Sequence, residues 1–187
     1  KAKGLPHNRI RLVQGDVLDI PSLEQGMTKC EAVFHLAAQA GVWSKDPGAF
    51  DQVNVEGTRR VLETALKTGV KRVVITSTGG VMGPSPGKGI EVHETTNPMP
   101  TLASAYEQSK AAAEKLAFSF IQKGIDVVVV NPTRIYGPGP LNESNSVTKL
   151  ADQFRRGTWR IIPGNGESIG NYVYLDDVVQ GHILALE

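Results

Sequence analysis

The sequence predicts an α/β fold built on a parallel sheet, and three observations carry that expectation. Short β-rich runs alternate along the chain with segments of helical periodicity, the pattern of βαβ units with right-handed crossovers. The most apolar run, Asp126-Val127-Val128-Val129-Val130, is continuous rather than alternating, which suits a parallel strand covered on both faces. Loops rich in glycine and proline follow the strands, and in open α/β sheets ligands bind outside the carboxyl ends of strands.

Taken in order, Ile10-Arg11-Leu12-Val13 reads as a first strand ending in Gly15-Asp16, and Ser22 to Gly26 as a short helix. Ala32-Val33-Phe34-His35-Leu36 is the next strand, opening into Ala37-Ala38-Gln39-Ala40-Gly41. Asn54 to Thr68 follows as a helix with an apolar stripe at Val55, Val61, Leu62, Ala65 and Leu66, and Gly69 stands at its stop. Arg72-Val73-Val74-Ile75-Thr76-Ser77 is a strand. Gly79 to Pro100 is a long loop of the kind that usually carries function. Ala105 to Lys123 is the clearest helix, with Ala111, Ala112, Ala113, Leu116, Ala117 and Phe120, and it stops at Gly124. Gly137-Pro138-Gly139-Pro140 is expected directly after the apolar strand at 126–130. The chain ends that follow Val13, Leu36, Ile75 and Val130 all fall at one sheet edge, which places a site there before any motif is considered.

Composition narrows the function classes. Lys and Arg number 20 against 19 Asp and Glu, a formal net charge of +1, so there is no basic field for nucleic acid. The single cysteine, Cys30, excludes a disulfide scaffold or a multi-cysteine metal site, and its place before a strand suggests a buried small hydrophobe. His7, His93 and His182 lack metal-ligand spacing, and His35 at a strand end reads as a packed core histidine. No apolar run approaches the roughly 20 residues of a membrane span. A reducing, cytoplasmic location is the expectation. Arg155, Arg156 and Arg160 around Trp159 read as a solvated helix end or a grip on an anionic group, and Trp43 as a pocket wall or a surface aromatic.

The sharpest chemical signal is Tyr106-Glu107-Gln108-Ser109-Lys110. A Tyr and a Lys four residues apart lie one helical turn from each other on one face. Free tyrosine titrates near 10 and is a poor acid or base at neutral pH, whereas a neighbouring ammonium favours the phenolate and lowers that value. Such a pair becomes a proton donor and acceptor. Y-x-x-x-K also occurs on ordinary surface helices, so the weight rests on its companions. Thr76-Ser77-Thr78 ends a strand, where a hydroxyl can donate to a carbonyl oxygen, or simply cap a turn. Asn54 heads a helix and Asp16 follows a strand; each also suits a plain cap.

In this order and spacing, the blocks resemble the extended short-chain dehydrogenase/reductase family, also described as NAD-dependent epimerases and dehydratases. They are Gly15-Asp16-Val17-Leu18-Asp19, His35-Leu36-Ala37-Ala38, Asn54-Val55-Glu56-Gly57-Thr58, Thr76-Ser77-Thr78, Tyr106 with Lys110, Asn131-Pro132-Thr133-Arg134-Ile135-Tyr136-Gly137-Pro138-Gly139 and Tyr172-Val173-Tyr174-Leu175-Asp176-Asp177-Val178. The resemblance implies a Rossmann-like doubly wound parallel sheet, incomplete, with the first two strands and most of the C-terminal substrate lobe absent. Residues 1–140 would form the dinucleotide-binding core and 141–187 the start of the substrate lobe with a return to the core. It implies NAD or NADP as cofactor, a small-molecule substrate, no nucleic acid or membrane partner, and a homodimer of the full-length protein through the two long helices. Thr78, Tyr106 and Lys110 would be catalytic, with Asn54 ordering the site. Asp16, Val17, Leu36, Ala37, Ala38, Ser77, Tyr106, Lys110, Pro132 and Thr133 would hold the cofactor, and Thr78, Met82 and Asn131 would face substrate.

Departures from the family pattern refine this. The family's Gly-rich phosphate loop is absent, so the chain resembles an interior fragment, and residues 1–187 alone are expected to bind dinucleotide poorly. Gly170 stands where many sugar-nucleotide enzymes of the family carry a diphosphate-gripping arginine, and Gly79-Gly80 where dehydratases carry an acidic pair. Residues 171–187 read more like the dihydroflavonol-reductase and hydroxysteroid-dehydrogenase branches, while His35-Leu36-Ala37-Ala38-Gln39-Ala40-Gly41-Val42 looks like sugar-nucleotide epimerases. The expected activity is alcohol–ketone interconversion; the alternatives are a redox-neutral nucleotide-sugar epimerase and a non-catalytic dinucleotide-binding module.

Overall fold

A computed structural model describes residues 9–41, 44, 46, 48–87, 89–95, 102, 104–141, 145–162 and 164–187, so Trp43 lies outside the described residues. Helix α1 (Ile20–Met27) starts where the Asp19 side chain accepts from the Ser22 amide at 3.2 Å, with Pro21 in the first turn where its missing N–H costs nothing. Strand β1 (Ala32–His35) runs parallel to β2 (Arg72–Thr76), which runs parallel to β3 (Asp126–Val130), in the order β1-β2-β3.

Alternation along β2 sorts its side chains between two layers. Val73 and Ile75, with Val127 of β3, pack against Val61, Leu62 and Ala65 of helix α3 (Gly57–Thr68) and against Ala117 and Phe120 of helix α4 (Ala105–Ile121). Thr76 belongs to the opposite face, its hydroxyl 2.7 Å from Nε2 of His182 on helix α6 (Leu175–Leu186). Phe34 of β1 lies beside the same imidazole. Helices therefore cover both faces of the parallel sheet, as a doubly wound fold requires. Leu62, Ala65 and Phe120 are fully buried, and each large apolar side chain so buried contributes roughly 1.5–3 kcal/mol. A second, two-stranded parallel sheet joins β4 (Arg134–Tyr136) to β5 (Tyr172–Tyr174), with helix α5 (Ser146–Arg155) packed on β4.

Gly69 ends α3 in the left-handed region at φ 78°, its amide bonding back to the last turn. Gly69→Ala is expected to cost about 1 kcal/mol, because a Cβ is strained there; chemical denaturation checks it.

Four sequence expectations are corrected. No strand forms at 10–13: among the described residues the segment has no ladder partner and Leu12 is 91% exposed. An extended segment without a hydrogen-bonded neighbour is not a strand. The helix expected from Asn54 begins earlier, as a short turn α2 (Gly48–Phe50) that passes through π-helical Asp51–Glu56 into α3. Gly137 does not follow the apolar strand directly, since β4 intervenes. Cys30 is exposed rather than buried, because it lies in the turn between α1 and β1, just after Lys29 at φ 63°. Among the described residues, no helix is long and apolar enough to cross a membrane.

Candidate active site

The site assembles at the carboxyl ends of β2 and β3. Beyond the ladder the two chains stay paired: the Ser77 amide donates to the Val130 carbonyl at 2.8 Å and the Gly79 amide to the Pro132 carbonyl at 2.9 Å. Thr78 then caps a 3-10 turn (Gly79–Met82), its Oγ1 accepting from the Gly80 amide at 3.2 Å. That bond uses a lone pair and leaves the hydroxyl proton for another acceptor. Asn131 braces the same residue, with Nδ2 donating to the Thr78 carbonyl at 3.3 Å and to Glu114 Oε1 at 2.7 Å. Its amide thus ties Thr78 to α4 rather than standing free for a substrate.

Helix α4 opens with a complete capping box, Ser104 and Glu107 bonding each other's backbone amides. It packs its N-terminal turns against the Thr78 turn and against the π-helical segment. Tyr106 is half-buried with its ring edge-on to Phe50, centroids 6.4 Å apart. Lys110 is buried, and its ammonium donates to the Thr76 carbonyl at 2.7 Å. Burial pushes the Lys110 pKa down, and Glu114 one turn on draws it part of the way back. The Tyr106 phenol is raised above its ordinary value, first by burial and then by the Glu107 charge. Burial, the larger cause, and the Glu107 charge thus act against the lowered phenol expected from the Tyr106–Lys110 spacing, and the ammonium is engaged by a main-chain carbonyl.

Asn54 is fully buried within the π-helical segment. Its Oδ1 accepts from the Gln39 amide at 2.8 Å, while Nδ2 donates to the Gln39 carbonyl at 3.1 Å and to Ser109 Oγ at 2.9 Å. Ser109 passes its proton to the Tyr106 carbonyl at 2.7 Å. Asn54 is therefore neither a plain helix cap nor a group facing reactants. It is a saturated hub that fastens the loop after β1 to the helix of Tyr106, and π-turns of this kind recur at functional sites.

His35 is buried beneath the site, as expected of a core histidine. The Thr58 hydroxyl donates to the Asn54 carbonyl at 2.6 Å, so His35 donates to Thr58 from Nε2–H at 3.0 Å, a bond the neutral Nε2–H tautomer makes. Burial, then the Lys110 charge, bring its pKa from 6.5 to about 4. The unfolded chain therefore binds the extra proton between these values, and stability falls as pH drops through that window. Between pH 7 and pH 5 this residue is expected to remove roughly 2 kcal/mol, read as a denaturant midpoint that His35→Gln makes less pH-dependent.

The remaining predicted residues are placed as follows. Ser77 is buried just past the end of β2, and among the described residues its hydroxyl has no hydrogen-bond partner. Pro132 and Thr133 line a groove with Asn131, Asn171, Tyr172 and Asp177. Met82 ends the 3-10 turn, half-buried. Val17 packs onto the core, and Asp16 is exposed, its Oδ1 accepting from the Leu18 amide at 2.8 Å. Leu36 and Ala37 are exposed and Ala38 half-buried, along the loop that Asn54 holds. At Gly170, an added Cβ would stand 2.7 Å from Tyr172 Oη, the outer end of an exposed side chain. A second groove, lined by Asp51, Gln52, Val55, Glu56 and Ala112, contains none of the predicted residues. Among the described residues no cluster could hold a metal ion. Sequence reasoning missed Glu107, Ser109 and Glu114; the Ser104-x-x-Glu107 spacing and the four-residue step from Lys110 to Glu114 were the available signals.

Comparison with known proteins shows the family and the fold. The model of the NAD dependent epimerase/dehydratase family matches residues 1–187. A putative dihydroflavonol 4-reductase from Synechocystis is 36% identical over 174 residues, covering 92% of this chain and 49% of the relative. Sterol demethylase protein B from Methylococcus capsulatus is 32% identical, covering 92% and 51%. The chain spans about half the length of these curated relatives. Among solved structures, a Thermus thermophilus UDP-glucose 4-epimerase in complex with NAD superposes with a TM-score of 0.84 at 30% identity, covering 100% of this chain and 63% of that one. An RMD from Pseudomonas aeruginosa complexed with NADPH gives 0.79 at 27% identity, covering 94% and 64%. With its whole length matched by that family's model and its parallel sheet shared with these structures, the chain belongs to the NAD-dependent epimerase/dehydratase family.

Proposed function

We propose that the protein of which this chain forms the core is an NAD(P)-dependent oxidoreductase that interconverts an alcohol and a ketone. The observation that carries the reading is that α4, which bears Tyr106, packs against the turn that presents Thr78, with Glu107 beside Gly80 and the Lys110 ammonium on the Thr76 carbonyl, at the carboxyl ends of β2 and β3. The unpartnered, buried Ser77 hydroxyl beside them fits a bound group that brings its own polar atom. Ser77, Pro132, Thr133 and the Leu36–Ala38 loop would hold a nicotinamide dinucleotide, with Lys110 on its ribose. When bound, that cofactor supplies or accepts the hydride.

In the reducing direction Tyr106 gives its proton to the carbonyl oxygen, and the Thr78 hydroxyl donates to the same oxygen, stabilising the charge that develops there. A raised phenol pKa suits this role, since the proton is in place at neutral pH. Asn131 and Glu114 keep Thr78 in register with α4. In the oxidising direction the phenol must first lose its proton, so that rate rises with pH.

The substrate reading favours a carbonyl on a body without a diphosphate. Gly170 offers no cation to a diphosphate, and the reductase and sterol-enzyme names of the relatives point the same way. The UDP-glucose 4-epimerase likeness supports a second reading, redox-neutral inversion of a nucleotide sugar on the same Thr78, Tyr106 and Lys110. A panel run on the full-length protein separates them: net NAD(P)H consumption with ketones supports the first, sugar inversion without net consumption the second. Neither activity from well-folded protein would leave a non-catalytic dinucleotide-binding module.

A further inference from the structure

We propose that Glu107 is a positioning residue for this site, its carboxylate bracing the turn that bears Thr78 against the helix that bears Tyr106, and that residue 80 is glycine to admit it. The inference rests on the functional reading above and assigns a role to a residue that reading does not use.

One hydrogen bond holds the carboxylate, and a reciprocal one holds its backbone. Glu107 Oε2 accepts from the Ser104 amide at 3.1 Å, and the Ser104 hydroxyl accepts from the Glu107 amide at 3.2 Å, which anchors the side chain on the first turn of α4. Glu107 Oε1 lies 2.8 Å from where a Cβ on Gly80 would stand, with Cγ at 3.1 Å and Cδ at 3.3 Å. Even a methyl group at position 80 would have to displace the carboxylate and weaken the cap. Gly80 is also the residue whose amide orients the Thr78 hydroxyl. Ser104 and Glu107 bond each other, the Glu107 side chain lies close against Gly80, and Gly80 bonds Thr78, while Tyr106 immediately precedes Glu107. The spacing between the two hydroxyls depends on these contacts.

The brace is also an electrostatic one. Among the described residues the charged groups nearest Tyr106 on its own helix are Glu107, whose charge acts on the phenol, and Lys110 one turn later with its ammonium on the Thr76 carbonyl. The π-helical side contributes the uncharged Phe50 ring, and His35 below is neutral. Negative charge fixed at position 107 therefore favours the protonated phenol, which with Thr78 makes the site a pair of donors to an oxygen.

The test uses the full-length protein and two kinds of variant. Glu107→Gln keeps an oxygen that can cap α4 and removes the charge. Phenolate absorbance is titrated, and the difference from Tyr106→Phe isolates Tyr106. The expected result is a midpoint lowered by roughly half a unit or more. Gly80→Ala is expected to lower kcat roughly ten-fold or more with KM little changed, because the displaced Glu107 side chain no longer holds the Thr78 turn in register with α4. Gly80→Ala combined with Glu107→Ser, which makes room for the methyl, is expected to recover part of that loss. An unshifted midpoint in Glu107→Gln, or simple additivity of the position 80 and 107 effects, overturns the proposal. The titration needs no substrate, so an unshifted midpoint leaves the functional reading standing, whereas turnover by Tyr106→Phe removes that reading and leaves the titration meaningful.

Discussion

Tyr106→Phe in the full-length protein is expected to lower turnover by roughly 10²–10⁴-fold while cofactor affinity stays within a few-fold of the parent. The phenylalanine ring keeps the edge-on contact with Phe50, and neither the Ser109 bond to the residue 106 carbonyl nor the capping box involves the hydroxyl. The substitution therefore removes one proton donor and little else. Residual rate would come from the Thr78 hydroxyl and from binding, so Tyr106→Phe with Thr78→Val should fall further. The effect belongs on kcat, because the proton moves only in the reacting complex. Steady-state rates with a ketone or sugar substrate, beside a calorimetric cofactor titration, check it. Unchanged turnover would end the acid–base assignment.

The features legible in the sequence are those that periodicity fixes. The uninterrupted apolar run at 126–130 became β3, and the stripe through Val61, Leu62 and Ala65 became the buried side of α3. The four-residue step from Tyr106 to Lys110 put both on α4 as read. What stayed hidden depends on partners distant in the chain. Leu12 and Val13 have strand composition, but a strand exists only when another lends its hydrogen bonds, and among the described residues none does. A π-turn barely alters an apolar stripe, so Asp51–Glu56 could not be told from the start of an α-helix. The direction of the Lys110 ammonium is set by the Thr76 carbonyl, across the seam between α4 and β2, and no local spacing encodes it. The Glu107 contact with Gly80 joins residues on two elements that only the fold brings together.

Asn54→Ala is the other substitution with a large expected effect, and it acts through the fold before the chemistry. Truncation removes the acceptor for the Gln39 amide and the donor to its carbonyl, so both main-chain groups lose their partner at once. Ser109 Oγ loses a donor, and a cavity opens where a fully buried side chain stood. Unsatisfied buried groups cost about 1–3 kcal/mol each before relaxation, and water can reach Gln39 from the exposed side of its loop. A loss of roughly 2–4 kcal/mol is expected, measured by denaturant unfolding of the full-length protein. Ser109→Ala should cost only about 1 kcal/mol, because Asn54 keeps both bonds to Gln39. The contrast between the two is the informative quantity. If the Asn54 bridge is what holds the Leu36–Gln39 loop against α4, Asn54→Ala should also weaken dinucleotide binding far more than Ser109→Ala does. Equal effects from the two variants would mean that the loop is held by its own packing and that the bridge is incidental.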